Sequence, residues 1–166
     1  SANDLLAQHL SSARRYDINS TVFYETVKFR GRKGTKLRQL KQIAAKYAPE
    51  PNKILLYVDA HDTIFQASLD DIVRQWQRDY GSESIVFCGE GGPHPYTFLR
   101  DFYPERPGYE RHRYLNSGFI LGRAAALHEL FETHDFEPDE STRGLGDQAY
   151  FVLAYLRENL RVNVWD

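Results

Sequence analysis

Two aspartates, Asp59 and Asp62, follow directly on the apolar run Ile54-Leu55-Leu56-Tyr57-Val58. In open α/β sheets, ligands bind beyond the carboxyl ends of the strands. Carboxylate oxygens are the ligands that hard cations such as Mg²⁺ and Mn²⁺ take. An ion held there would bridge the protein to a diphosphate and neutralise the charge that builds as that group leaves. The Asp-x-x-Asp spacing lets both side chains converge on one ion from a tight turn. A plainer reading stands beside this one, since aspartates also shape turns after strands.

Other residues could join such a site. Asn116, in Leu115-Asn116-Ser117-Gly118-Phe119, could hydrogen-bond sugar hydroxyls where small neighbours let backbone approach a ligand; the bland alternative is turn geometry at the entry to a strand. Asp147, in Gly146-Asp147-Gln148, could face a sugar as acceptor or catalytic carboxylate, or could simply cap a helix. Lys36 closes the basic glycine loop 30–36. A lysine beside helix N-terminal amides makes a phosphate site, although a solvated helix start has the same composition. Glu90 follows an apolar run and precedes Gly91-Gly92, which aims it at the same cleft. His94, His112, His128 and His134 lack paired ligand spacing and read as surface or core residues.

These residues need a scaffold. Periodic apolar positions predict helices over residues 3–15, 37–47, about 69–80, 124–131 and 149–156, with Pro49 and Pro51 ending the second. Ser68 and Asp71 have the form of a capping box with Asp in place of Glu or Gln. Strands are expected over 21–29, 54–58, 84–88, 119–121 and 162–165. The runs at 54–58 and 84–88 read as buried on both faces, as in a central parallel sheet. Residues 91–95 and 100–113 read as irregular. Alternating helices and strands give an α/β layered sheet, in one domain spanning 1–166.

The 166 residues are 42% hydrophobic and 27% charged, an ordinary globular balance that argues against disorder. A net charge of −2 provides no field to attract nucleic acid, so basic residues would act locally. Cys88 is the one cysteine and reads as a small buried thiol; the cytosol and the secretory lumen both remain open. No apolar stretch approaches a membrane span. The chain lacks Met and opens Ser1-Ala2-Asn3, which reads as an excised piece.

In their order, these motifs resemble the glycosyltransferase domain attached to the procollagen lysyl hydroxylases and its stand-alone relatives. The resemblance rests on Lys36-Leu37-Arg38, Tyr57-Val58-Asp59-Ala60-His61-Asp62, Phe87-Cys88-Gly89-Glu90, Leu115-Asn116-Ser117-Gly118-Phe119 and Gly146-Asp147-Gln148. It implies a Rossmann-like GT-A layered sheet with helices on both faces, binding a UDP-sugar with Mn²⁺ (or Mg²⁺). It implies that Asp59 and Asp62 ligate the metal, that His61 stands where a tyrosine stacks on uracil, and that Lys36 contacts the nucleotide. It implies that Asn116, Glu90 and Asp147 line the sugar pocket.

The sequence departs from that family in three places. A first strand cradling the uridine would precede Ser1, a metal-ligating histidine would follow Asp166, and Gly146 stands where a second Asp often lies. The expectation is therefore a domain incomplete at both ends. Its expected activity is metal-dependent transfer of a hexose from a UDP-sugar to a hydroxyl of a sugar or protein acceptor, glycosylated hydroxylysine for example. Two alternatives differ in kind: a non-catalytic binding or scaffold module of the same fold, and a nucleotidyltransferase, which would prefer a nucleoside triphosphate to UDP.

Overall fold

Successive residues on each strand send their side chains to opposite faces, and that alternation organises the molecule. The computed structural model describes residues 2–21, 35–105, 108, 111–134, 146–158 and 162–165. Its strands are β1 (Ile54–Val58), β2 (Ile85–Glu90), β3 (Tyr114–Arg123) and β4 (Val162–Trp165), in the sheet order β1-β3-β2-β4. Five helices accompany them: α1 (Ala2–Arg15), α2 (Thr35–Tyr47), α3 (Leu69–Tyr80), α4 (Ala124–Thr133) and α5 (Asp147–Glu158).

Helices cover both faces of the sheet, as expected. On one face Ile85 and Phe87 of β2 and Leu115 and Ile120 of β3 pack with Leu37 and Leu40 of α2, Leu127 and Phe131 of α4 and Phe151 of α5. On the other face Val86 and Leu121 meet Trp76 of α3, and Leu56 and Val58 pack near Ala13, Ile18 and Phe65. Trp76 is fully buried and its indole N–H donates to Ser84 O at 3.1 Å, so its one polar group is satisfied. Gly122 fits because a Cβ there would stand 3.2 Å from Ile85 Cγ1.

Three expectations need correction. First, the sheet is mixed. β3 runs antiparallel between β1 and β2, and among the described strands only β2 with β4 is a parallel pair. All five residues of β1 are half-buried rather than buried on both faces, because β1 pairs with β3 alone among the described strands. An apolar run does not encode its neighbour's direction. Second, β3 has ten residues, not three, and includes Asn116, Ser117 and Gly118. Asn116 pairs with Cys88 of β2 and Gly118 O accepts from Asp59 N just past β1, and these bonds override the poor strand propensity of Asn, Ser and Gly. Third, a 3-10 helix at Thr97–Phe102 runs into the stretch 100–113 read as irregular.

Other elements match the expected ones closely. Ser68 caps α3, accepting from Asp71 N at 3.2 Å and donating to Asp71 Oδ2 at 2.6 Å. The box therefore closes on the serine hydroxyl rather than on its backbone N–H. Cys88 is half-buried, and burial pushes its thiol up from the ordinary value. The expected strand at 21–29 and the basic loop at 30–34 lie outside the described residues, Thr21 apart. Among the described residues no helix is long and apolar enough to cross a membrane.

Candidate active site

The register of β3 builds the site. Phe87 pairs with Ile120, but the next residue, Cys88, pairs with Asn116. Residues 117–119 therefore have no partner on β2. On the other side the β1 ladder continues, with Val58 opposite Phe119 and Asp59 N donating to Gly118 O at 2.8 Å. Such irregularities bend a strand and re-aim its side chains, often beside active sites. Here the bend leaves three consecutive residues of β3 facing three different partners.

Ser117 donates its hydroxyl to Asp147 Oδ2 at 2.6 Å. Asp147 is the first residue of α5, where a carboxylate also suits the positive end of the helix dipole. The same oxygen lies 2.6 Å from Lys36 Nζ, in the first turn of α2. That ammonium also donates to Asp59 Oδ1 at 3.0 Å and to Ser117 O at 3.1 Å. An ammonium has three protons, so these three acceptors use them all. Nζ sits 4.7 Å from the centroid of the Tyr57 ring, whose hydroxyl donates to Asp59 Oδ1 at 2.9 Å. Asp59, Asp147 and Lys36 thus meet, although residues 36, 59 and 147 come from three elements. Side-chain exposures of 19% for Lys36 and Asp147 leave the group largely shielded from water; Asp59, at 37%, opens outward.

A second cluster adjoins the first along β3. Asn116 Nδ2 donates to Glu90 Oε2 at 3.2 Å, and its Oδ1 accepts from Gly118 N at 2.8 Å. Gln148, next to Asp147 on α5, donates through Nε2 to Glu90 Oε1, with His94 O at 3.0 Å and Leu115 O at 3.3 Å also in reach. Both oxygens of Glu90 are thereby held by amides. Gly118 lies between the clusters, and a Cβ there would sit 2.9 Å from Asn116 Oδ1 and 3.4 Å from Asp59 Oδ2. Only a glycine lets the strand pass so close to both.

His61 and Asp62 lie on the turn after β1, both exposed. Asp62 N donates to Asp59 O at 3.1 Å, which closes the turn. The Asp62 carboxylate meets no partner among the described residues. Sequence reasoning singled out Lys36, Asp59, Glu90, Asn116 and Asp147, and the structure brings them into two adjoining clusters. It missed the roles of Tyr57, Ser117 and Gln148. All three stood inside motifs already marked, but side-chain direction within a bent strand or a helix start has no signal in spacing.

The donor set suits a hard cation in chemistry. One ammonium stands among the carboxylates of Asp59, Asp147 and the adjoining Glu90, and Asp62 on the next turn is free to ligate. Among the described residues no group of three His, Cys, Asp or Glu side chains is gathered to hold an ion by itself. Asp59 and Asp62 would supply two ligands, leaving the rest to substrate oxygens and water, as is usual for Mg²⁺.

The geometry is thus an acidic strand-end site on an α/β sheet, with one ammonium among its carboxylates and amides holding Glu90 beside it. The model of the family described as PLOD GT domain matches residues 1–165, and the chain belongs to that family of glycosyltransferase domains. It is 29% identical over 167 residues to the multifunctional procollagen lysine hydroxylase and glycosyltransferase of Caenorhabditis elegans, covering 95% of this chain. It is 31% identical over 167 residues to the procollagen-lysine,2-oxoglutarate 5-dioxygenase of Drosophila melanogaster, covering 97%. The human multifunctional procollagen lysine hydroxylase and glycosyltransferase LH3 is 30% identical over 128 residues, covering 77%. The chain spans 22%, 22% and 16% of the lengths of these three relatives. A crystal structure of mouse xyloside xylosyltransferase 1, apo form, aligns with a TM-score of 0.49 at 16% identity, covering 99% of this chain and 61% of that one, too distant a likeness to bear on fold or function.

Proposed function

We propose that this chain forms the donor site of a divalent-metal glycosyltransferase, moving a hexose from a UDP-sugar to a hydroxyl of a sugar or protein acceptor. The relatives' names pair procollagen lysine hydroxylation with glycosyl transfer, and glycosylated hydroxylysine is the acceptor we propose. The observation that carries this reading is the meeting of Lys36 with Asp59 and Asp147 just beyond β1. It puts one ammonium and two acids at one point of a chain that belongs to a glycosyltransferase family.

In this reading Asp59 and Asp62 hold Mn²⁺ or Mg²⁺. The ion, when bound, supplies Lewis-acid stabilisation of the departing UDP diphosphate. Lys36 adds a fixed positive charge for the same phosphates, and to reach them its ammonium gives up or shares one of its present acceptors. His61, exposed on the turn, offers a flat ring to the uracil base. Asn116, Glu90 and Asp147 face the sugar. Glu90, held by Asn116 and Gln148, is an oriented acceptor for a sugar hydroxyl and needs no reorganisation when the donor binds.

Thermal unfolding of the chain with UDP, alone and with Mn²⁺, tests this. A ligand at 100 times its Kd stabilises the fold by about 2.7 kcal/mol. The expected result is a Mn²⁺-dependent UDP shift that vanishes in the Asp59→Ala, Asp62→Ala double variant. A shift that is equal with and without metal, or no shift at all, would overturn the reading and favour a non-catalytic module.

A further inference from the structure

The turn that carries Asp62 is held from a helix outside the acidic clusters. His9 on α1 is only 2% exposed, and its Nδ1 lies 2.8 Å from Thr63 O. A carbonyl only accepts, so Nδ1 carries the proton and donates. The His9 ring tilts against Phe65 with centroids 5.3 Å apart. One turn further along α1, Ser12 Oγ accepts from Phe65 N at 2.8 Å and donates to His9 O at 2.7 Å. Thr63 and Phe65 are therefore both tied to α1. On its other side Asp62 is tied to Asp59 through its backbone N–H.

The backbone of Asp62 is thus fixed before and after, while its carboxylate stays exposed. An apolar side chain at position 9 could fill the same volume, but it would leave Thr63 O without its donor. A part-buried carbonyl left without a donor is unfavourable, and the loop would relieve that by moving its carbonyl toward water. Any such movement displaces Asp62, the adjacent residue.

We propose that His9 is a positioning residue: through the Thr63 carbonyl it sets the Asp62 carboxylate for a divalent cation, with Ser12 as the second tie. This rests on the reading of Asp62 as a cation ligand. Residues that orient metal ligands typically change affinity by about 10–100-fold when removed.

The test is titration of the whole chain with Mn²⁺ alone, following the electron paramagnetic resonance signal of the free ion, at a temperature where every variant is folded. His9→Phe keeps a ring against Phe65 and removes the donor. His9→Asn removes the ring and places an amide N–H near the position of Nδ1. Mn²⁺ affinity is expected to fall by about tenfold in His9→Phe and to recover to within about threefold of the parent in His9→Asn. Ser12→Ala is expected to give a smaller loss, and it stands in should His9→Phe fail to fold. Parent-like affinity in both His9→Phe and Ser12→Ala, or no rescue by His9→Asn, would overturn the proposal and leave the cation site intact. A parent chain that takes up no Mn²⁺ would instead remove the cation reading and the proposal with it.

Discussion

Asp59 and Asp62 sit three positions apart on one turn, yet the fold treats them oppositely. Asp59 is claimed from within: Lys36, Tyr57 and the close backbone of Gly118 all surround its carboxylate. Asp62 is held only through its backbone, and its carboxylate stays in water. The difference teaches that a two-residue ligand motif need not be two equivalent ligands. One member is part of the protein's own charge network, and the other presents an exposed carboxylate. Stability and ligand binding should therefore come apart between them.

The largest effect should come from Lys36→Met. It leaves Asp59 and Asp147 facing each other without a cation. Removing one partner of a buried ion pair typically costs about 3–5 kcal/mol, and the partial exposure of Asp59 lowers the expectation to about 2–3 kcal/mol. A urea unfolding midpoint that does not move would break the comparison, because Asp59 would then not depend on its partners. Gly118→Ala comes next. Its Cβ would press on Asn116 Oδ1, and overpacking of this kind costs about 1–3 kcal/mol; chemical denaturation measures it. Ser117→Ala removes one hydrogen bond to Asp147 and should cost about 1 kcal/mol by the same measurement. The smallest effect on stability belongs to Asp62→Asn, within about 0.5 kcal/mol as for most exposed substitutions. That variant should nonetheless lose the Mn²⁺-dependent part of the UDP thermal shift. A loss of stability there as large as that of Lys36→Met would mean that Asp62 is structural after all.

Much of this architecture could be read from the chain. Helices α2 and α3 announced themselves through apolar spacing, Pro49 and Pro51 after the one, and Ser68 before the other. The strand at Ile54–Val58 was plain from its bulk, and so was the placing of Asp59 just past its end. Sheet direction was not readable, because side-chain type records burial and says nothing of which way the neighbouring backbone runs. Asn116, Ser117 and Gly118 looked like a loop because their intrinsic preferences are those of a loop; the pairing of Asn116 with Cys88 on one side and the bond from Asp59 N to Gly118 O on the other overruled them. The contacts of Gln148 with Glu90 and of His9 with Thr63 join residues more than fifty positions apart. Nothing local in a sequence reports such distances.

The way β3 parts from β2 also governs how the molecule can change in length. Asn116 answers to Glu90, Ser117 to Asp147 and Gly118 to Asp59, in consecutive positions. A replacement at one of them disturbs one relationship. An inserted or deleted residue would reverse the facing of everything beyond it and unfasten all three at once. Among the described residues between Gly91 and Arg113 no three consecutive positions carry such a triple duty, so additions and deletions are expected to gather there, and to be absent from 116–118 in any descendant that keeps the site.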